Sequence, residues 1–258
     1  MSQSQFLKVA LEAAQKAEEV ILEYYSGVIE VELKPDQTPV TVADQEAERV
    51  IIETIKQQFP EHGFWGEESG IANTDSTYQW IIDPIDGTKN YIRKIPLFAT
   101  QIALMEDGEL ILGVSNAPVM KERLYAERGA GAFMNGERIY VSEVPELSEA
   151  MVCHGGFDTF DDGALLPNMC QLIRDTYRSR GFGDYYIFHL LASGSADIAI
   201  EAADLAPWDI SALVVIVEEA GGTITDLSGN PLEQRQTKVI ATNGVLHDAV
   251  LKYFREIS

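Results

Sequence analysis

Apolar residues recur at helical spacing over residues 5–25, where Phe6, Val9, Ala13, Ala17, Val20, Ile21 and Tyr24 share one side of a 3.6-residue repeat and predict a first helix. A polar stretch with Pro35, Asp36 and Pro39 follows and reads as a loop flanked by a short hairpin. A second helix is predicted over residues 43–59, with Ala47, Val50, Ile51 and Ile55 on one face. Thr41-Val42-Ala43-Asp44 resembles a capping box at its start, and Pro60 stops it. Trp80-Ile81-Ile82 reads as a short buried strand that ends abruptly in Asp83-Pro84. Residues 100–105 and 110–115 are apolar runs separated by Glu106-Asp107-Gly108, a strong hairpin signal. Strands at 123–126 and 132–134, with Asn135-Gly136 as a further turn, continue an antiparallel sheet. Beyond residue 150 the pattern changes. Strands at 151–153 and 198–201 alternate with helices at 167–177 and 185–193. A helix at 209–220 closes on Gly221-Gly222, strands at 223–225 and 239–242 follow, and a last helix starts near Leu246. The pattern predicts a layered α/β protein of two halves, 1–145 with an antiparallel sheet and 146–258 with a mixed, partly parallel one.

Composition narrows the function. A net charge of −22 over 258 residues argues against nucleic acid and against an anionic membrane surface, both of which must be met by Lys and Arg. No apolar stretch nears the roughly twenty residues of a membrane helix; the longest run is the six residues 212–217. The first seven residues lack the blocks of a signal peptide, so a cytoplasmic location is the default expectation. Cys153 and Cys170 match no disulfide framework or metal pattern and read as small fillers. His62, His154, His189 and His247 are scattered and read as structural.

Most of the 41 acidic residues serve solubility. Four short stretches differ: Val42-Ala43-Asp44, Gly66-Glu67-Glu68-Ser69, Asp83-Pro84-Ile85-Asp86-Gly87-Thr88 and Trp208-Asp209. A buried strand ending in Asp83 places a carboxylate at the strand tip; Pro84 stiffens the turn, and Asp86 can return to the same side. With the Ile85 carbonyl between them these make a hard, oxygen-only site of the kind Mg²⁺ prefers. The N–H groups at Gly87-Thr88 then suit phosphate oxygens. Each stretch has a plain structural reading too: Asp83 and Asp86 as turn caps, Asp44 and Asp209 as helix caps, Glu67-Glu68 as a solvated acidic turn. The combination is what suggests function. An EF-hand, an aspartyl-phosphate phosphatase and a P-loop all fail on spacing.

Glu67-Glu68 after Gly66, the run 83–88, and Trp208-Asp209 followed by Glu218-Glu219-Ala220-Gly221-Gly222 resemble the signature set of the inositol monophosphatase superfamily, in order and spacing over nearly the whole chain. The resemblance implies a five-layered αβαβα sandwich, a homodimer, and Mg²⁺-dependent hydrolysis of a small phosphorylated metabolite. By motif position it implies Glu67, Asp83 and the Ile85 carbonyl around one Mg²⁺, and Asp83, Asp86 and Asp209 around a second. A third, weaker ion would be shared by Glu67 near Glu68. Water would be the nucleophile, oriented by Thr88, itself hydrogen-bonded to Asp44, alongside Glu67, and would attack in line. Gly87 and Thr88, with Asp86, would contact the phosphate.

The alcohol is expected to be read by the C-terminal half. Inositol-type members usually carry Ser or Thr where Asp184 stands in Arg180-Gly181-Phe182-Gly183-Asp184; an Asp there is similar to the histidinol-phosphate phosphatase branch. A carboxylate at Asp184 or Glu201 can pair with an ammonium, whereas inositol offers only hydroxyls. As a plain alternative, Asp184 caps a helix. The span from Glu201 to Trp208 is one residue longer than the common pattern. Histidinol phosphate is therefore the expected substrate and inositol 1-phosphate the alternative. A nucleotide bisphosphatase fits less well, and a non-catalytic binding protein would be expected to have lost one of Glu67, Asp83, Asp86, Thr88 or Asp209.

Overall fold

The computed structural model describes residues 3–29, 31–33, 39–160, 165–233, 235 and 237–254. The expected loop around Pro35 and Asp36 lies outside them. The chain forms two compact units: Met1–Ala130 with Trp208–Val215, and Gly131–Pro207 with Ile216–Ser258.

The first unit opens with helix α1 (Gln5–Ser26), capped by the Ser4 hydroxyl, which accepts from Leu7 N–H at 3.0 Å. Strands β1 (Val31–Leu33) and β2 (Pro39–Thr41) pair antiparallel and lead into α2 (Val42–Gln58). The Thr41/Asp44 capping box expected at its start is present. Then come β3 (Gly63–Gly66), β4 (Gly70–Ala72), β5 (Tyr78–Asp86), the short helix α3 (Thr88–Ile92), β6 (Ala99–Glu106), β7 (Glu109–Ala117) and β8 (Glu122–Glu127). Within this unit the strands run β8-β7-β6-β5-β3-β4, antiparallel except for the β3–β5 pair. Asp107 and Gly108, both at positive φ (49° and 91°), make the tight turn between β6 and β7 that the Asp-Gly pair predicted. Apolar faces of α1 and α2 pack on β5, β6 and β7 in one core that includes Ala13, Ile21, Ile51, Trp80, Ile102 and Val114.

Two features differ from the sequence reading. Strand β5 does not stop at Asp83-Pro84 but continues to Asp86, with a register shift against β6 between the two acids. Pro84 has no N–H to give to the ladder; its carbonyl takes the Thr100 hydroxyl at 2.9 Å, and the Asp83 carboxylate takes the Ile85 N–H at 2.9 Å. Strands β3 and β4 were not anticipated: a four-residue Gly-Phe-Trp-Gly segment and a fully exposed three-residue one carry no clear period.

The second unit holds a hairpin, β9 (Gly131–Met134) and β10 (Glu137–Arg138), turning at Asn135-Gly136 as expected. The chain continues with β11 (Met151–His154), α4 (Leu165–Asp175), β12 (Arg178–Gly181), α5 (Asp184–Ala192), β13 (Ile198–Leu205), α6 (Pro207–Glu219, of which Trp208–Val215 belong to the first unit), β14 (Thr223–Asp226), β15 (Thr237–Thr242) and α7 (His247–Leu251). The sheet order is β12-β11-β13-β15-β14, parallel at β11–β12 and β11–β13 and antiparallel elsewhere. Strand β12, Arg-Ser-Arg-Gly, was unreadable as a strand because its residues are mostly polar. No helix among the described residues is long and apolar enough to cross a membrane.

The residues of α6 that belong to the first unit are seated by Gly113 on β7. A Cβ at position 113 would lie 2.2 Å from the Ala212 carbonyl oxygen, a backbone atom that cannot step aside. Gly113→Ala should therefore cost about 2–3 kcal/mol, seen in calorimetry as a Tm lower by roughly 5–10 °C. An unchanged Tm would mean that the helix shifts freely at this contact.

Candidate active site

Four elements bring the five signature acids of the first unit together. Asp44 is third in α2, Glu67 follows β3, Asp83 and Asp86 flank the β5 irregularity, and Asp209 is third in α6, whose first residue is Pro207. Residues three apart in a regular strand face opposite sides. The extra residue on β5, with Asp83 opposite Gln101 and Asp86 opposite Ala99, resets that alternation. Asp83 is almost wholly buried (2% exposed). Burial first, then the neighbouring carboxylates of Glu67, Asp86 and Asp209, hold its carboxyl well above the ordinary range, and it shares a hydrogen bond with Glu67. Trp208 packs edge-on against Trp65, with ring centroids 6.2 Å apart, and so fixes the start of the helix that carries Asp209. Among the described residues no group of three His, Cys, Asp or Glu side chains already stands close enough together to hold a metal ion.

Asp44 is buried and accepts both the Thr41 N–H (2.8 Å) and the Thr41 hydroxyl (2.6 Å). Burial lifts its carboxyl to about 6, against the lowering effect of the Thr41 bonds. Its other oxygen faces the Thr88 hydroxyl at 3.5 Å, at the edge of hydrogen bonding. The single hydroxyl proton of Thr88 is better placed for the Ile85 carbonyl at 3.0 Å. Gly87, in the left-handed region (φ 87°), caps α3 without any side-chain bond, and its carbonyl accepts the Asn90 and Tyr91 N–H groups at 2.8 and 3.0 Å.

Asp184 and Glu201 meet within the second unit. Asp184 is the first residue of α5 and not its cap; Gly183 holds that place. Both have positive φ, 50° and 71°, an arrangement Gly tolerates and Asp adopts only when held. Glu201 is 4% exposed and accepts the Ala203 N–H at 3.2 Å. Its oxygens lie over Gly155, where a Cβ would sit 2.2 Å from Oε1. Burial, with the Asp184 carboxylate adding to it and the N–H groups of Ala203, Ala202 and Asp184 opposing it, lifts Glu201 to about 7.

Each histidine has a packing role. Trp80 Nε1–H donates to His62 Nδ1 at 3.0 Å within an aromatic stack, and burial lowers the His62 pKa. His154 Nδ1 contacts the Gly155 carbonyl, His189 is edge-on to Tyr185, and His247 lies between Thr225 and Thr242. Both cysteines are free, and burial lifts the Cys153 thiol to about 11, away from nucleophilic use. Two polar residues beside the acids were missed. Gln101 on β6 is fully buried and donates its amide to Asp86 at 3.4 Å. Glu48 on α2 is 2% exposed and binds the backbone after Glu67. Only the second left a trace in the sequence, an acid one helical turn after Asp44.

The sequence profile of the inositol monophosphatase family matches residues 2–258. The chain is 38% identical to the histidinol-phosphatase of Mycobacterium tuberculosis, covering 95% of this chain and 96% of that protein. It is 42% identical to the histidinol-phosphatase of Chlorobaculum parvum over 86% of each. The solved IMPase of Thermotoga maritima superimposes with a TM-score of 0.89 at 35% identity, covering 98% of both chains. The fold is therefore the mixed α/β layered fold of that structure, and the chain is a phosphoric monoester hydrolase acting on small phosphate esters. The chain therefore belongs to the inositol monophosphatase family.

Proposed function

We propose that the chain hydrolyses histidinol phosphate to histidinol and inorganic phosphate, with Mg²⁺ held by Glu67, Asp83, the Ile85 carbonyl, Asp86 and Asp209. The donor set fits the ion. Its donors are all hard oxygens, and Asp83 is buried against three carboxylates whose repulsion a cation would relieve. When bound, two or three such ions would polarise the phosphoryl oxygens, ease deprotonation of a water and stabilise the departing alkoxide.

The chain's own groups supply the rest. Thr88 and Asp44, with Glu67, orient the attacking water and receive its proton. The N–H groups of Gly87 and Thr88 bind phosphate oxygens, and Asp86 borders the same group. The water oxygen bonds to phosphorus in line as the P–O ester bond breaks, inverting phosphorus, and the leaving alkoxide takes a proton from solvent water to leave as the alcohol. Asp184 and Glu201 receive the substrate's ammonium.

The observation that carries the substrate is the pairing of Asp184 with a buried Glu201, an acidic arrangement suited to a cation and needless for a polyol. The histidinol-phosphatase relatives support the same choice, whereas likeness to an IMPase favours inositol 1-phosphate as a second reading. The test is kcat/KM on both esters side by side. Histidinol phosphate should be favoured by at least about tenfold, a difference of about 1.4 kcal/mol; preference for inositol 1-phosphate would reverse the assignment. Homodimerisation and a cytoplasmic location belong to the proposal, and sizing chromatography and cell fractionation test them.

A further inference from the structure

We infer that Glu48 is a positioning residue for Mg²⁺ capture, acting through the backbone that carries Glu67. The inference rests on the reading of Glu67 as a metal ligand. Glu48 is a carboxylate with 2% of its surface exposed. Such a group needs full hydrogen bonding to stay buried. It finds it in the chain after β3: Oε2 accepts the Glu68 N–H at 2.9 Å and Oε1 accepts the Ser69 N–H at 2.8 Å. Gly66 makes the approach possible, because a Cβ there would lie 2.5 Å from Glu48 Oε1. The preceding amide, Glu67 N–H, donates to the Ile82 carbonyl on β5 at 3.1 Å.

Three successive amides are thus tied down, one to the strand that carries Asp83 and two to the helix that carries Asp44. Glu48 stands one turn after Asp44 on the same face of α2. A neutral side chain could fill the volume. A carboxylate makes two charge-assisted bonds to backbone N–H groups, one per oxygen, and so fixes both position and direction of the Glu67 segment. Loss of such support around a metal ligand typically costs roughly ten- to hundredfold in metal affinity or activity.

The experiment compares wild type with Glu48→Gln, which keeps shape and size but has only one acceptor oxygen for two N–H groups. Two readouts are taken against Mg²⁺ concentration: phosphate release from a simple aryl phosphate, and the rise in Tm that Mg²⁺ produces in the absence of substrate. Both midpoints should move to about tenfold or more higher Mg²⁺, with kcat at saturating Mg²⁺ within about threefold of wild type. Glu48→Asp keeps the charge but shortens the reach; it should shift both midpoints in the same direction, and it decides the matter where Glu48→Gln shows no cooperative unfolding. A lower Tm with unmoved Mg²⁺ midpoints would make Glu48 a structural residue only and overturn the inference, leaving the proposed function intact. A wild-type chain whose Tm and turnover both ignore Mg²⁺ would overturn the two together.

Discussion

Asp83→Asn should lower phosphatase turnover by about a thousandfold while raising the melting temperature in Mg²⁺-free buffer. The activity loss corresponds to about 4 kcal/mol of transition-state stabilisation, the scale expected when a ligand shared between metal ions loses its charge. The stability gain has a separate cause. Asp83 is buried with the carboxylates of Glu67, Asp86 and Asp209 acting on it, so without a cation its charge opposes folding. Asparagine has nearly the same shape. Its Oδ1 can keep the Ile85 N–H bond that Asp83 makes at 2.9 Å, and its NH₂ can donate to Glu67. A gain on the order of 1–2 kcal/mol would raise Tm by a few degrees. Addition of Mg²⁺, which should stabilise wild type, should do little for the variant. Scanning calorimetry with and without Mg²⁺, alongside phosphate release, checks both halves. A variant that is less stable than wild type without Mg²⁺ would show that the acids do not repel one another as described.

Glu201→Gln should separate substrates. On an amine-bearing ester kcat/KM should fall by about thirty- to hundredfold, or roughly 2–3 kcal/mol for a buried charge pair that loses one partner. On a neutral aryl phosphate the change should stay within about threefold, and equal losses on both would make Glu201 structural. The raised Glu201 carboxyl, at about 7 in the folded chain against an ordinary 4.5, adds a pH signature. A group whose folded pKa is raised contributes stability that is fully present below pH 4.5 and is lost as pH rises through about 7. The glutamine variant should therefore match wild type near pH 4.5 and exceed it above pH 7, by up to about 3 kcal/mol. In wild type, kcat/KM for the amine substrate should fall as pH drops below about 7, where Glu201 is neutral, and this slope should vanish in the variant.

Much of this molecule was legible in one dimension. The helical period of residues 5–25, the Thr41 and Asp44 cap, and the Asp107-Gly108 and Asn135-Gly136 turns depend on neighbours within a few residues, and each stands where the sequence placed it. What was not legible depended on partners far along the chain. The polar strand β12 exists because β11 pairs with it, and the exposed β4 because β3 does. Strand β5 continues through Pro84 because the Thr100 hydroxyl, sixteen residues away, satisfies the carbonyl there. Thr88 was expected on Asp44, but its proton is nearer the Ile85 carbonyl.

By itself the sequence determined the family and the set of acids, since the signature elements are short runs whose residue types and order survive without coordinates. Tertiary structure alone decided how those acids feel one another. The burial that lifts Asp83, Asp44 and Glu201, the glycines that let Glu48 and Ala212 approach, and the amides that Glu48 restrains all arise from contacts between distant segments. Charge is a property of a residue, but the free energy of that charge is set by what surrounds it, and the surroundings are assembled only when the chain folds.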